Sequence, residues 1–281
     1  MMGVIAILLH HERDEAAALA KEAVDWLTER GHGVLLPEFD AELIGRPDLG
    51  AAEDAIADRC DLAISLGGDG TMLRTVDVVA PNSVPVLGVN VGQLGYLTEV
   101  EPADLFTSLE RVFNGEHHIE ERMMLDVHVG GTHTCFALNE CVIEKTPIGR
   151  TVRVRLSLDG EFFTTYAADG VIIATPTGST AYSFSARGPI VDPAHRAMVV
   201  TPVSPHMLFD RSMVLAPEAT VRLEVDGHRP AGVSVDGRPL CELIDREAVE
   251  CTAASLPARL VRFGGNNFHR ILKAKFGLSD R

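Results

Sequence analysis

The chain has 281 residues, 46% of them apolar, enough for one large or two medium globular domains with buried cores; two is the expectation. Its 40 Asp and Glu against 25 Lys and Arg leave a formal charge of -15, which repels nucleic-acid phosphates and anionic membrane surfaces, so neither is expected as a partner. Any anionic ligand has to be held by local donors.

The opening MMGVIAILLHHERDE carries an apolar run far shorter than the roughly 20 residues of a spanning helix, with no basic n-region or cleavage site. GVIAILL therefore reads as a first strand covered on both faces. Ala16, Leu19, Ala20, Ala23, Val24 and Leu27 then share one helical face, and Gly31 stands where a C-cap belongs. GVLLPEF reads as a second strand, followed by DLAISL as a strand, residues 70–79 as a helix, VPVLGVNV as a strand and DLFTSLERVF as a helix. Alternation of this kind builds a parallel sheet with right-handed crossovers.

From about residue 123 the texture changes to short β-rich runs broken by Gly, Asp or Pro, among them LDVHVGGTHTCFALNECVIE, VRVRLSLDGEFFTTYAADGVIIATP and AGVSVDGRPL. Residues 123–261 are expected to be all-β. NNFHRILKAKFGL is helical in pattern, so 262–281 are expected to rejoin the α/β domain of residues 1–122. The five cysteines, an odd number without C-x-x-C spacing, fit a reducing cytoplasm and neither a disulfide framework nor a zinc knuckle. His128 and His133 beside Cys135 have no standard zinc spacing and read as scattered strand residues, so no protein-held metal site is expected.

SLGGDGTMLR places three glycines around Asp69 between a strand and a helix. A helix N-terminus offers free N–H groups to phosphate, and glycine lets the backbone come close. A carboxylate there would repel phosphate, so Asp69 suits a hydroxyl or a phosphate-bound metal, which points to phosphoryl transfer. A tight turn with Asp69 as a cap explains the same spacing. Neither G-x-G-x-x-G nor a P-loop occurs. A second stretch, ADGVIIATPTGSTAYSFSARGPIVDP, sets Thr175, Thr177, Ser179, Thr180, Ser183, Ser185 and Tyr182 after an apolar strand, a run able to hydrogen-bond and stack a polar ligand. A Ser/Thr-rich helix cap is the plainer account.

LGGDGTMLR, GVNVGQLGYLTEV, NECVI, DGVIIATPTGSTAYSFSA and PVSPHMLFDR, in this order, resemble the NAD kinase family over nearly the whole chain. The resemblance implies a Rossmann-like α/β domain, a C-terminal β-sandwich that binds NAD, and a last helix returning to the first domain. It implies phosphorylation of the 2′-hydroxyl of the adenosine ribose of NAD by ATP, or by polyphosphate in some members, with Mg²⁺ or Mn²⁺, in a cytoplasmic homo-oligomer, dimer or tetramer. Asp69 matches the family's general base, with Gly70 beside it. Asn139 and Glu140 match the pair that would meet adenine and the ribose hydroxyls. Thr177, Thr180, Ala181, Tyr182, Ser183, Phe184 and Ser185 match the dinucleotide-binding run, and Asp169 the Asp-Gly that starts the strand before it. Arg74, Arg150 and Arg238 stand where relatives place basic or polar residues toward the ligand; each is otherwise an ordinary solvated arginine. Tyr96 replaces a more usual Phe and keeps the ring. Arg187-Gly188-Pro189 stands where Gly-Gly-Pro is expected, which puts the backbone path in question.

Two other readings stay open at this stage. A diacylglycerol-type lipid kinase shares the glycine-aspartate turn, though the acidic balance and the lack of a basic amphipathic helix oppose it. A non-catalytic nucleotide-binding module would keep the pocket without turnover.

Overall fold

The computed structural model describes residues 3–93, 95–146, 150–264 and 268–278. They form two compact units, residues 1–121 with 258–281 and residues 122–257.

The first unit is built on a seven-stranded sheet in the order β3-β2-β1-β4-β5-β19-β6. Its strands are β1 (Val4–Leu9), β2 (Gly33–Pro37), β3 (Gly50–Ala51), β4 (Leu62–Gly67), β5 (Val86–Asn90), β6 (His118–Arg122) and, from far along the chain, β19 (Ala258–Arg262). From β3 to β19 neighbouring strands pair in parallel. β4 is buried along its whole length, as a strand covered on both faces requires. Helix α1 (Asp14–Glu29) buries Ala16, Leu19, Ala20, Ala23, Val24 and Leu27, the face predicted from spacing, and Gly31 follows it with φ +82°. GVLLPEF divides differently from the expected strand. Pro37, with φ -52° and no N–H to donate, ends β2 and leads into helix α2 (Glu38–Leu43). Helix α3 (Glu53–Arg59), too short to show a periodicity, was not expected; α4 (Asp69–Val79) and α5 (Leu105–Phe113) occupy the predicted stretches. The chain returns through β19, parallel to β5, and ends in α7 (Phe268–Phe276); Asn266 and Asn267 of the predicted helical stretch lie outside the described residues.

The second unit is a β-sandwich of two six-stranded sheets. One runs β11 (Glu161–Ala168), β10 (Val152–Leu158), β15 (Val221–Val225), β18 (Ala248–Ala253), β7 (Leu125–Val129), β8 (Thr132–Ala137). The other runs β14 (Met213–Leu215), β13 (Met198–Val203), β12 (Gly170–Ala174), β9 (Glu140–Lys145), β16 (Ala231–Val235), β17 (Arg238–Leu243). Period-2 alternation sends Leu125 and Val127, Val152, Val154 and Leu156, and Val221, Leu223 and Val225 into one core with Val171, Ile173 and Val233 from the facing sheet. β12 departs from alternation because both faces are covered. Val171 and Ile173 face the sandwich core, while Ile172 and Ala174 join Val142 and Val199 under Ala186 and Val191. The hydroxyl-rich segment after β12 thus folds back over the outside of its own sheet.

Candidate functional site

In the first unit the strand order reverses between β1 and β4, since β2 and β3 continue to one side and β5 to the other. Open α/β sheets bind ligands outside the carboxyl ends of their strands at such a switch point. The turn carrying Asp69 leaves the carboxyl end of β4 there, and His10 follows β1 with its N–H on the Leu66 carbonyl, 2.9 Å.

Asp69 opens α4, whose first intrahelical bond is Met72 N–H to Gly68 C=O, 3.1 Å. The N–H groups of the preceding helical residues lack intrahelical acceptors by geometry. The half-buried Asp69 carboxylate is held from the opposite loop: Tyr96 N–H donates to Oδ2 and Leu97 N–H to Oδ1, each at 2.9 Å. A carboxylate has about four lone-pair sites, so both oxygens keep capacity for a hydroxyl. The three glycines differ in purpose. A Cβ on Gly67 would overlap Thr71, whereas Cβ atoms on Gly68 and Gly70 would meet nothing of the protein. Packing explains the first; the other two leave space over a helix N-terminus. Gly95 was missed by sequence reasoning, and a Cβ on it would overlap the Asp69 carboxylate.

Tyr96 lies with the Lys275 ammonium 4.5 Å from its ring centre, and burial first, then the Asp69 charge, raise its phenol above the usual range. Arg74 is not brought beside Asp69 by any contact. It is neither solvated nor free: its Nη2 lies 2.6 Å from both oxygens of fully buried Asp40, and its Nη1 contacts His11. Asp40 also accepts the Leu9 N–H at 2.8 Å and pairs with His11 Nε2 at 2.9 Å. This cluster gave no sequence signal, because its members are separated by long stretches of chain.

In the second unit the Leu138–Glu140 turn lies between two supports. Asp236, in the β16–β17 hairpin, accepts N–H groups from Leu138 at 2.8 Å, Asn139 at 2.8 Å and Glu140 at 3.0 Å. Thr175 closes the other side, its hydroxyl donating to the Leu138 carbonyl at 2.6 Å and its N–H to the Asn139 carbonyl at 2.8 Å. A Cβ on Gly178 would overlap the Asn139 backbone, so only glycine permits this approach. Glu140 is buried, and its Oε2 has no partner. Burial first, and Asp236 next, push its carboxyl up to about 8, against the opposing hydrogen bond from the Tyr182 N–H.

The hydroxyl run is divided in use. Fully buried Thr175, Ser179 and Ser183 build the loop instead of facing outward: Ser179 donates to the Pro176 carbonyl at 2.6 Å, and Ser183 shares a 3.0 Å bond with Thr201. Buried Thr177 accepts from the Arg122 guanidinium at 3.3 Å. Thr180 is half-buried, its hydroxyl on the Thr177 carbonyl at 3.3 Å; Ala181 is half-buried as well, and Tyr182, Phe184 and Ser185 are exposed. Burial, then Glu144, Asp169 and Glu140 in that order, raise the Tyr182 phenol. Asp169 precedes β12 and pairs with Lys145 at 2.6 Å, at the opposite end of that strand from Thr175. Arg238 opens β17; burial raises the Asp236 carboxyl, against the three amide hydrogen bonds and, least of all, the Arg238 charge; Arg150 is exposed next to residues 147–149, which lie outside the described residues.

The structure answers the question at Arg187. Arg187 follows helix α6 (Tyr182–Ser185) with φ +68°, and Gly188 behind it would overlap Ser183 if it had a Cβ. The two positions of the expected Gly-Gly serve different needs, one conformational and one steric. This chain keeps the path with an arginine in the left-handed conformation. Among the described residues no group of three or more His, Cys, Asp or Glu is placed to hold a metal; His128 pairs with Asp126 at 3.1 Å, and the His133 side chain lies outside what is described.

Residues 5–117 match the family of the ATP-NAD kinase N-terminal domain, and residues 138–263 that of the ATP-NAD kinase C-terminal domain. An NAD kinase of Heliobacterium modesticaldum is 42% identical, with 98% of each chain covered. NAD kinase 2 of Streptomyces coelicolor is 39% identical over 98% of this chain and 94% of its own. Among solved structures, yeast NADH kinase complexed with NADH superposes with a TM-score of 0.90 at 26% identity, covering 100% of this chain and 89% of the yeast chain. An Archaeoglobus fulgidus NAD kinase in complex with ATP gives 0.77 at 24% identity, covering 99% and 100%, a likeness of fold.

Proposed function

The chain belongs to the NAD kinase family, and from that premise we propose that it transfers the terminal phosphoryl group of ATP to the 2′-hydroxyl of the adenosine ribose of NAD, giving NADP. The observation that carries the reading is the Asp69 carboxylate, fixed by two main-chain N–H groups beside a helix N-terminus kept open by Gly68 and Gly70.

Asp69 accepts the hydroxyl's hydrogen bond and takes its proton as the bond from the 2′-oxygen to the γ-phosphorus forms, while the bond from that phosphorus to the β,γ-bridging oxygen breaks and ADP leaves. Phosphoryl transfer passes through a loose transition state in most analyses, so a fixed carboxylate contributes chiefly by positioning, with proton removal late. The free N–H groups of α4 stabilise charge on the phosphate oxygens. Gly70 and Tyr96 border the same turn. In residues 123–261, which we take as the NAD-binding domain, the unpartnered Oε2 of Glu140 is free to accept from ribose hydroxyls and Asn139 presents its amide to adenine. Thr177, Thr180, Ala181, Tyr182, Phe184 and Ser185, together with Asp169, Arg150 and Arg238, complete the dinucleotide contacts, while buried Ser183 holds the loop that carries them. For Arg74 the role rests on its ion pair with Asp40 opening to the ligand.

A Mg²⁺ or Mn²⁺ ion fits as a passenger on the ATP phosphates, because the described residues form no cage of protein donors while Asp69 offers one carboxylate. When bound, such an ion neutralises phosphate charge. A cytoplasmic setting is supported by an odd number of cysteines without C-x-x-C spacing. A homo-oligomer is supported by exposed Phe162, Phe163, Leu208, Phe209 and Val214 on the second unit. Incubation of the purified chain with Mg²⁺, with ATP or polyphosphate, and with NAD or NADH tests the reading: NADP or NADPH must form. Asp69→Asn should lower kcat by roughly 10²-fold or more with little change in NAD affinity. Full turnover in that variant would remove Asp69 from the chemistry.

A further inference from the structure

The Asp236-Gly237 turn joins β16 to β17 with φ +49° and +78°, the left-handed pair of a type I′ hairpin. That geometry alone explains an Asp-Gly, and from the sequence nothing more is needed. The side chain does something the hairpin does not require. Its Oδ1 takes the N–H groups of both Asn139 and Glu140, its Oδ2 that of Leu138, and its own N–H returns to the Glu140 carbonyl at 3.0 Å. Asn would suit the turn equally well, but its amide nitrogen would set a donor against one or two of these N–H groups.

We infer that Asp236 is a positioning residue for the reaction: it fixes the three consecutive amides from which Asn139 and Glu140 project. Burial first and the Asp236 charge second hold the Glu140 carboxyl up, so its grip on a sugar diol depends on pH. The inference rests on the NAD-binding role proposed for those two residues. Glu140 is the point of action because its Oε2 is buried with no partner, a position that an incoming hydroxyl can fill. The groups facing Glu140 are few. Asp236 comes from the hairpin, with Arg238 acting on Asp236; Tyr182 comes from α6 with its N–H and phenol; Cys141 lies on the same strand, hydrogen-bonded to Cys251 of β18. None of them brings a cation to Glu140 directly. Ribose hydroxyls donate best to an ionised carboxylate, so NAD should bind more tightly as Glu140 loses its proton.

Calorimetric titration of NAD between pH 6 and pH 9, with thermal melts to verify folding, tests this on the wild type, Asp236→Asn and Glu140→Gln. The wild-type Kd should fall as pH rises through 8 and level off above it. In Asp236→Asn the inflection should move to lower pH, and the Kd on the high-pH plateau should be about tenfold weaker, the loss expected for charge-assisted hydrogen bonds removed from the turn. Glu140→Gln should bind weakly with no inflection. An unmoved inflection and a plateau within twofold of wild type in Asp236→Asn would overturn the inference. If that variant does not fold, a wild-type inflection persisting in Glu140→Gln overturns it equally. NADP formation by the wild type is scored separately: an NAD-binding chain with these pH shifts but no turnover sinks the kinase reading and keeps this one, and no NAD binding sinks both.

Discussion

Arg187→Gly should stabilise the protein. Helix α6 ends in a Schellman motif, in which Arg187 N–H donates to the Phe184 carbonyl at 2.9 Å and Gly188 N–H to the Ser183 carbonyl at 2.8 Å. The motif requires left-handed backbone at Arg187, and φ is +68° there. A Cβ in that conformation costs about 1–2 kcal/mol, while the extra freedom a glycine loses on folding takes back about 0.4–1 kcal/mol. The net gain is therefore about 0.5–1 kcal/mol, a rise in Tm of roughly 2–4 °C for a unit of this size. The assay is thermal and urea unfolding of the wild type, Arg187→Gly and Arg187→Ala. The alanine variant removes the exposed charge and keeps the Cβ, so its stability should stay within a few tenths of a kcal/mol of wild type. Equal stabilisation by alanine and glycine would assign the gain to charge, and a lower Tm for glycine would show that the guanidinium contributes more than the backbone strain costs. Either result refutes the reasoning.

The raised carboxyl of Glu140 has a sign that can be checked. Its folded value of about 8 stands above the 4.5 expected in the unfolded chain, so between these limits the folded state holds a proton that the unfolded state has lost. Stability contributed by this residue therefore falls as pH rises through that window, by about 1.4 kcal/mol per pH unit. Urea unfolding at pH 5 to pH 8 should show Glu140→Gln gaining on the wild type at each step; a constant difference would mean that Glu140 titrates normally. Gly95→Ala places a methyl group into the Asp69 carboxylate, so it should lower kcat about tenfold or more while the melting temperature moves little, as steady-state kinetics and a melt will show.

Much of the architecture was legible in the chain. Six residues at 3.6 spacing named the buried face of α1, and the unbroken apolar run of β1 foretold a strand covered on both sides. These are local signals: period and burial are written into neighbouring residues. The order of the motifs also carried the family, and the resemblance is what singled out Asn139 and Glu140, beside Asp69, as candidates. What the sequence could not express were contacts between segments far apart in the chain. Arg74 looked like a ligand-facing or solvated arginine because nothing near it announces Asp40, 34 positions earlier. Hydroxyls of one run look alike on paper, and only the loop's fold over β12 sends Thr175, Ser179 and Ser183 inward. Asp236 had a sufficient local explanation as a turn residue, and its three amides arrive from almost 100 positions away. Backbone conformation and one-dimensional periodicity are properties of short segments; the charge on Glu140 depends on which groups the sheets bring beside it, and that is decided by the tertiary fold.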